Sequence, residues 1–250
     1  MHEAAASRQY QLLLDLIAPN PRSDARRREF DRWNVDGIIA HEAAPAIEGQ
    51  LFERTRPPVP LVATGAYNFL SGVDQVRVDL LEGSFAAVRH LLEGGRRRIL
   101  YITDDLPDRA GDARYIAFTE LVAAAGFEPL YLDIVGTRAH ARQAIKRYIE
   151  LCGLPDALFC HNDDFAIGAY RGLCELGIRV PDDIAIIGFD GLEDGEYLEV
   201  QLTTVVQPLE EICRTAMRFL EERIGNPVGP LQEATVKAQL LVRDSSGPAN

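Results

Sequence analysis

Short apolar runs alternate with amphipathic stretches along almost the whole chain. Apolar runs at 11–17, 35–40, 59–63, 98–103, 129–135, 156–160 and 184–189 predict strands. Between them, apolar positions recur at helical spacing over about 23–33, 43–54, 80–93, 113–125, 138–151 and 164–176. Strands joined by helices of this length predict βαβ units, hence parallel sheets covered on both faces. Gly126, Gly153 and Gly177 fall just past three of the expected helices, where a left-handed terminating residue belongs. Seven strands are many for one sheet in 250 residues, so two smaller sheets are expected. A further helix (208–224) and a final strand (232–242) flank the Gly/Pro-rich stretch 225–230, the most linker-like piece of the chain.

The expected strands end in polar side chains. Ala157–Cys160 stops at His161-Asn162-Asp163, and Ile184–Phe189 stops at Asp190, with Leu202-Thr-Thr-Val-Val-Gln207 following. In an open α/β sheet, ligands bind at this carboxyl edge. Asp190 is the leading candidate, because a carboxylate there accepts two hydroxyl hydrogen bonds and suits a sugar diol; the competing reading is an Asx turn holding Gly191. Asn162 or Asp163 caps the helix that follows, and His161 reads as a strand-end surface residue. Arg114 lies four residues before Phe118 and seven before Leu121, on the inward stripe of its helix, so it requires a partner such as hydroxyl pairs or a carboxylate. Asp79 and Glu82 have capping-box spacing. Gln207 either reaches a ligand or bonds nearby backbone.

Composition narrows the function. With 47% hydrophobic and 26% charged residues the chain is an ordinary globular one, and disorder is not expected. The net charge of −12 is adverse to duplex binding, which needs clustered Lys and Arg. The basic runs are Arg96-Arg97-Arg98 and Arg26-Arg27-Arg28, so this chain alone reads as a poor DNA binder. Cys152, Cys160, Cys174 and Cys213 lack close pairing and read as buried, reduced thiols. The five histidines show no metal-ligand spacing, and neither metal nor cofactor is expected. No apolar stretch approaches the roughly 18–20 residues of a spanning helix. The N-terminus lacks the features of a secretory signal, which implies a cytoplasmic protein. Nucleophile elbows, phosphate loops and dinucleotide turns are absent, so an enzyme is not expected.

The order and spacing of 155–207 resemble the effector-binding core of the lac/gal-repressor family of bacterial transcription regulators. Other segments extend the likeness. Val76–Leu91 supplies Asp79, Gly83, Ala87, His90 and Leu91 in the family's register, with Leu80 where an asparagine is usual. Arg114-Tyr-Ile-Ala-Phe118 resembles the Arg-x-x-Gly-aromatic motif, with Ala117 for the glycine, and Thr103-Asp104-Asp105 replaces a glycine turn. The resemblance implies a periplasmic-binding-protein type I fold of two lobes. Its three chain crossings would fall near Gly94-Gly95, near Val205–Gln207 and near 225–230. The lobes would then be 1–94 with 206–230 and 95–205 with 231–250, closing on a small polar effector, most readily a sugar. Asp190, Arg114 and Asn162 occupy effector-contacting positions of the family, and Gln207, Glu82 and Phe189 complete the candidate set. The family also implies a dimer, and a helix-turn-helix headpiece and first strand that Met1 follows. The competing expectation is a stand-alone sugar- or solute-binding protein.

Overall fold

A computed structural model of the protein describes residues 10–14, 35–42, 59–67, 70–104 and 109–247. Its contacts divide the chain into two compact units, Met1–Asp79 with Pro208–Val236, and Leu80–Gln207 with Lys237–Asn250.

The first unit holds a four-stranded sheet made of β1 (Ile38–His41), β2 (Leu61–Gly65), β3 (Asp74–Asp79) and β9 (Glu233–Lys237), in the order β1-β2-β3-β9. β1 and β3 both run parallel to β2, with Ile38 beside Leu61 and Val62 beside Asp74. Leu61, Ala63, Leu70 and Val73 form its buried cluster, with Ile38 and Ala40 against them. The helix Leu209–Gly225 buries Ile212, Ala216, Met217, Phe219 and Leu220, and packs on all three parallel strands. An ion pair anchors the segment beyond this helix. Arg223 grips the buried Asp74 at 2.6 and 2.8 Å and donates to the carbonyls of Gly229 and Pro230, both at 2.7 Å. The Gly/Pro-rich stretch expected to be a linker is therefore fastened to the sheet.

The second unit is a six-stranded sheet in the order β10-β8-β7-β6-β4-β5. Its strands are β4 (Ile99–Asp104), β5 (Leu130–Ile134), β6 (Ala157–Cys160), β7 (Ala185–Asp190), β8 (Thr203–Val206) and β10 (Gln239–Leu241). Five are parallel and only the edge strand β10 is antiparallel. Four helices cover it in two pairs: α1 (Leu81–Glu93) with α2 (Ala113–Ala124), and α3 (Arg138–Cys152) with α4 (Asp163–Glu175). Strand alternation sends Leu100, Ile102, Leu158 and Ile186 into the core shared with α3 and α4. Tyr101 and Phe159 point the other way, with ring centroids 5.3 and 6.1 Å from Phe118 of α2. Strands β4, β6 and β7, buried on both faces, account for the near-continuous apolar runs that made this unit readable.

Several expectations change. Asp79 ends β3, and the residue before α1 is Leu80, which makes no side-chain cap. The strands β3 and β8 were not expected as such, and the single strand at 232–242 is two, one in each sheet. The crossing placed near Gly94-Gly95 falls earlier, because α1 packs on β8 and β10 and so belongs to the second unit. Residues 11–14 form no strand, and the rest of the run to 17 lies outside the described residues, as do the helices at 23–33 and 43–54. Cys160 is buried as expected, but Cys152 and Cys174 are exposed. Gly126, Gly153 and Gly177 do take positive φ, between 69° and 80°. The basic run bonds to the chain's own backbone: Arg96 donates to the carbonyls of Asp156 and Pro181, Arg97 to that of Leu92, and Arg98 to those of Leu154 and Cys152. Among the described residues, no helix is long and apolar enough to cross a membrane.

Candidate functional site

Because β4, β6, β7 and β8 are parallel, Asp104, His161-Asn162, Asp190 and Gln207 emerge at one edge of the second sheet. The chain turns sharply there. Asp190 has φ 108° and Gly191 φ 80°, so two successive residues lie in the left-handed half of backbone space. For an aspartate that conformation costs on the order of 1–3 kcal/mol. Asp163, the first residue of α4, holds the turn in place. Its fully buried carboxylate accepts Gly191 N at 2.8 Å and Leu192 N at 2.6 Å, and its other oxygen accepts the Thr204 hydroxyl at 2.7 Å. Burial raises its pKa to about 6 despite these donors. The Asn-Asp, Gly-Phe-Asp-Gly and Leu-Thr-Thr segments are thus one hydrogen-bonded assembly on three elements.

Gly188 makes room for it. A Cβ at that position would stand 2.1 Å from Asp163 Oδ1, and three hydrogen bonds hold that carboxylate where it is. Gly188→Ala should therefore cost about 1–3 kcal/mol of unfolding free energy. Denaturant unfolding that shows no loss would mean that the carboxylate is not seated against β7.

Asp190 does not hold Gly191 in an Asx turn, since Asp163 has taken that N–H. Its own carboxylate accepts Gln207 Nε2 at 2.8 Å, and its carbonyl accepts Gln207 N at 3.4 Å. No described residue donates to Asp190 Oδ2, or to Gln207 Oε1. Burial pushes the Asp190 carboxyl above its ordinary range, with Gln207 and Arg114 pulling it back. Asn162 is the helix cap, its Oδ1 accepting Phe165 N at 2.8 Å, which leaves its amide N–H groups without a described acceptor. Asp163, the other cap candidate, is instead the anchor of the turn.

Arg114 points inward, as its spacing required, and finds a carboxylate partner. Asp112 caps α2 by accepting Arg114 N at 2.8 Å and also receives the guanidinium fork, Nε on Oδ1 at 3.0 Å and Nη2 on Oδ2 at 2.6 Å. Nη1 donates to the His161 carbonyl at 2.7 Å, and the guanidinium lies 5.1 Å from the centroid of the Phe189 ring. Both members are buried, at 7% and 4% side-chain exposure. Burial works to raise the Asp112 pKa, but the hydrogen bond and charge of Arg114 outweigh it and hold the carboxyl below its usual range. Asp112 was not singled out from sequence; an aspartate directly ahead of a helical run is the available signal, and it indicates a cap rather than an ion pair.

His161 is not a surface residue. It is buried, its Nδ1 lies 3.2 Å from the Tyr101 hydroxyl, and burial with the nearby Arg114 lowers its pKa to about 4. Phe189 is fully buried and touches the site through Arg114. Glu82 is exposed and pairs with Lys237 at 2.7 Å. A Cβ on its neighbour Gly83 would meet Val205 and Ala238, so the first turn of α1 lies close against β8. No group of His, Cys, Asp and Glu among the described residues could hold a metal ion.

The parallel sheet thus gathers polar groups from several strand ends at one carboxyl edge, the place where open α/β sheets bind ligands. Residues 88–246 match the periplasmic binding protein-like domain. The chain belongs to that family, within the lac/gal-repressor group of regulators. It is 31% identical over 234 residues to the HTH-type transcriptional repressor MelR of Bacillus subtilis (strain 168), covering 88% of this chain and 64% of the relative. Among solved structures, a LacI family transcriptional regulator from Enterococcus faecium with bound ribose superposes with a TM-score of 0.84 at 25% identity, over 100% of this chain and 92% of that one. A putative regulator of the LacI family from Sanguibacter keddieii DSM 10542 gives 0.80 at 30% identity, over 98% and 91%. The chain thus spans less than two thirds of the length of the curated relatives it matches. These relatives are named as transcriptional repressors and as LacI family regulators.

Proposed function

We propose that the chain is the effector-binding core of a cytoplasmic lac/gal-repressor-type transcription regulator and that it takes a small polyhydroxylated metabolite, a sugar or sugar derivative. The observation that carries this reading is the assembly at the carboxyl edge of the second sheet. There Asp190 Oδ2 and Gln207 Oε1 are acceptors, and the Asn162 amide is a donor, all without described partners. Such a mixture answers hydroxyl groups, each of which both donates and accepts. Arg114, supported on Phe189, forms the rigid wall beside them, and Glu82 is an exposed acceptor at the start of α1. The ribose in the Enterococcus faecium relative supports the same ligand class. In this reading the protein works as a homodimer, and operator DNA is met by a helix-turn-helix headpiece outside this chain, whose placement the effector controls.

The test is a thermal-shift screen of aldoses and glycosides, followed by calorimetry of the best binder. Asp190→Ala should weaken that binder by about 2 kcal/mol, the scale of a hydrogen bond to a charged group, or roughly 30-fold in Kd. Unchanged affinity would remove this edge as the binding site.

A further inference from the structure

The pairing of Arg114 with Asp112 has a consequence for which ligands the edge accepts, given the proposed function on which this inference rests. We propose that Asp112 is a specificity-determining residue: it occupies the guanidinium fork of Arg114, so the edge takes uncharged polyhydroxyl ligands and rejects their phosphorylated or carboxylated forms.

An arginine at a helix start, beside strand ends, has the chemistry to clamp a phosphate or carboxylate through two parallel N–H groups. Here Nε and Nη2 already form that clamp, at 3.0 and 2.6 Å, on the two oxygens of Asp112. Nη1 is turned to the His161 carbonyl at 2.7 Å. An anionic ligand would have to displace a buried carboxylate two residues away in sequence, which is already fixed as the cap of α2.

The other charges of the edge do not compensate. Asp190 is a half-buried carboxylate aligned by Gln207, and Asp163 is a buried one. His161 is neutral at pH 7, because burial and Arg114 disfavour its proton. The charged groups that act on Asp190 are Arg114, which is neutralised by Asp112, and the carboxylates of Asp164 and Asp163. Arg138 is held by Asp164 at 2.5 Å and by Asp194 at 2.8 Å. Summed over Arg114, Asp112, Asp163 and Asp190, the charge is −2. Like-charge contact at a recognition site costs several kcal/mol, whereas a hydroxyl meeting Asp190 meets an acceptor. Asp112 touches no ligand in this account. It decides specificity by what it takes away from Arg114.

The experiment pairs neutral sugars with anionic counterparts: D-ribose with D-ribose 5-phosphate, D-glucose with D-glucose 6-phosphate and D-glucuronate, and D-galactose with D-galacturonate. Calorimetry on the whole chain is expected to find a neutral binder whose anionic counterpart binds at least about 100-fold more weakly. Asp112→Asn keeps a capping oxygen and removes the charge. It should strengthen binding of the anionic form by about tenfold or more while leaving the neutral form within about threefold. Asp112→Ser, a second capping residue, serves the same purpose should the asparagine variant fold poorly. An anionic form that binds the parent as tightly as its neutral counterpart overturns the proposal and leaves the sugar reading in place. So does a discrimination that both Asp112 variants preserve. If no member binds in either form, the sugar reading itself fails, and this inference with it.

Discussion

Arg114→Ala should lower the unfolding free energy by about 3–5 kcal/mol, the usual cost of stranding one member of a buried ion pair. Asp112 would be left at 4% exposure with its countercharge gone. The His161 carbonyl would lose its donor, and the ring of Phe189 its cover. Removing both partners should be gentler than removing one. In an Arg114→Ala/Asp112→Ser double variant no charge is stranded and the helix keeps a capping hydroxyl. Urea unfolding of the parent, both single variants and the double variant gives the coupling directly. If the double variant loses as much as the two single ones summed, the two side chains are not coupled. The same series separates stability from recognition, because a ligand-binding deficit in Arg114→Ala alone would confound the two.

The second large effect is on pH dependence, and it consists of two opposed slopes. The folded-state pKa of His161 is about 4, below its unfolded value of 6.5. The unfolded chain therefore binds the extra proton between these limits, and the stability contributed by His161, complete above pH 6.5, is lost as the pH falls to about 4. Asp163 behaves in the opposite sense. Its folded-state pKa of about 6 exceeds the ordinary 3.8. Its contribution is complete below 3.8 and is lost as the pH rises through 6. Each shift corresponds to about 3 kcal/mol, so over the shared window the two nearly cancel in the parent. Single variants should expose them. The stability of the parent minus that of His161→Gln should grow by about 3 kcal/mol from pH 4 to 6.5, and the parent minus Asp163→Asn should shrink by a similar amount from pH 4 to 6. Difference curves that stay flat would show that neither group is held in its neutral form by burial.

How much of this was legible in the sequence depends on the kind of contact each residue makes. The second unit was readable because its central strands are buried on both faces and its helices carry clear apolar stripes; β4, β5, β6 and β7 lie within two residues of their expected positions. β3 was missed because Asp74-Gln-Val-Arg-Val-Asp alternates polar and apolar residues with charges at both ends, and Asp79 mimics a cap. β8, Thr-Thr-Val-Val, is short, and its threonines are buried by bonds to Asp163, Arg243 and Ser246, which composition cannot show. The positions of Asp190, Asn162, Gln207 and Arg114 at one edge could be inferred from where runs end and how a helix faces. Their partners could not. Asp112, Asp163 and the buried state of His161 depend on side chains brought together from distant segments, and local spacing offers only a cap or a turn as their reading.

Gly188 and Asp163 carry a consequence for how this sequence can drift. One lies in the middle of a strand and the other at the start of a helix, yet the carboxylate occupies the volume that a methyl group would need. A methyl at 188 is unacceptable until position 163 shortens. Shortening position 163 removes the acceptor for Gly191, Leu192 and Thr204. Neither neighbour can change first without passing through a less stable protein, so the two positions form a lock in sequence space. Descendants of this chain should keep both residues or replace both together, and Asp190, whose backbone depends on the pair, inherits that constancy without making the contact itself.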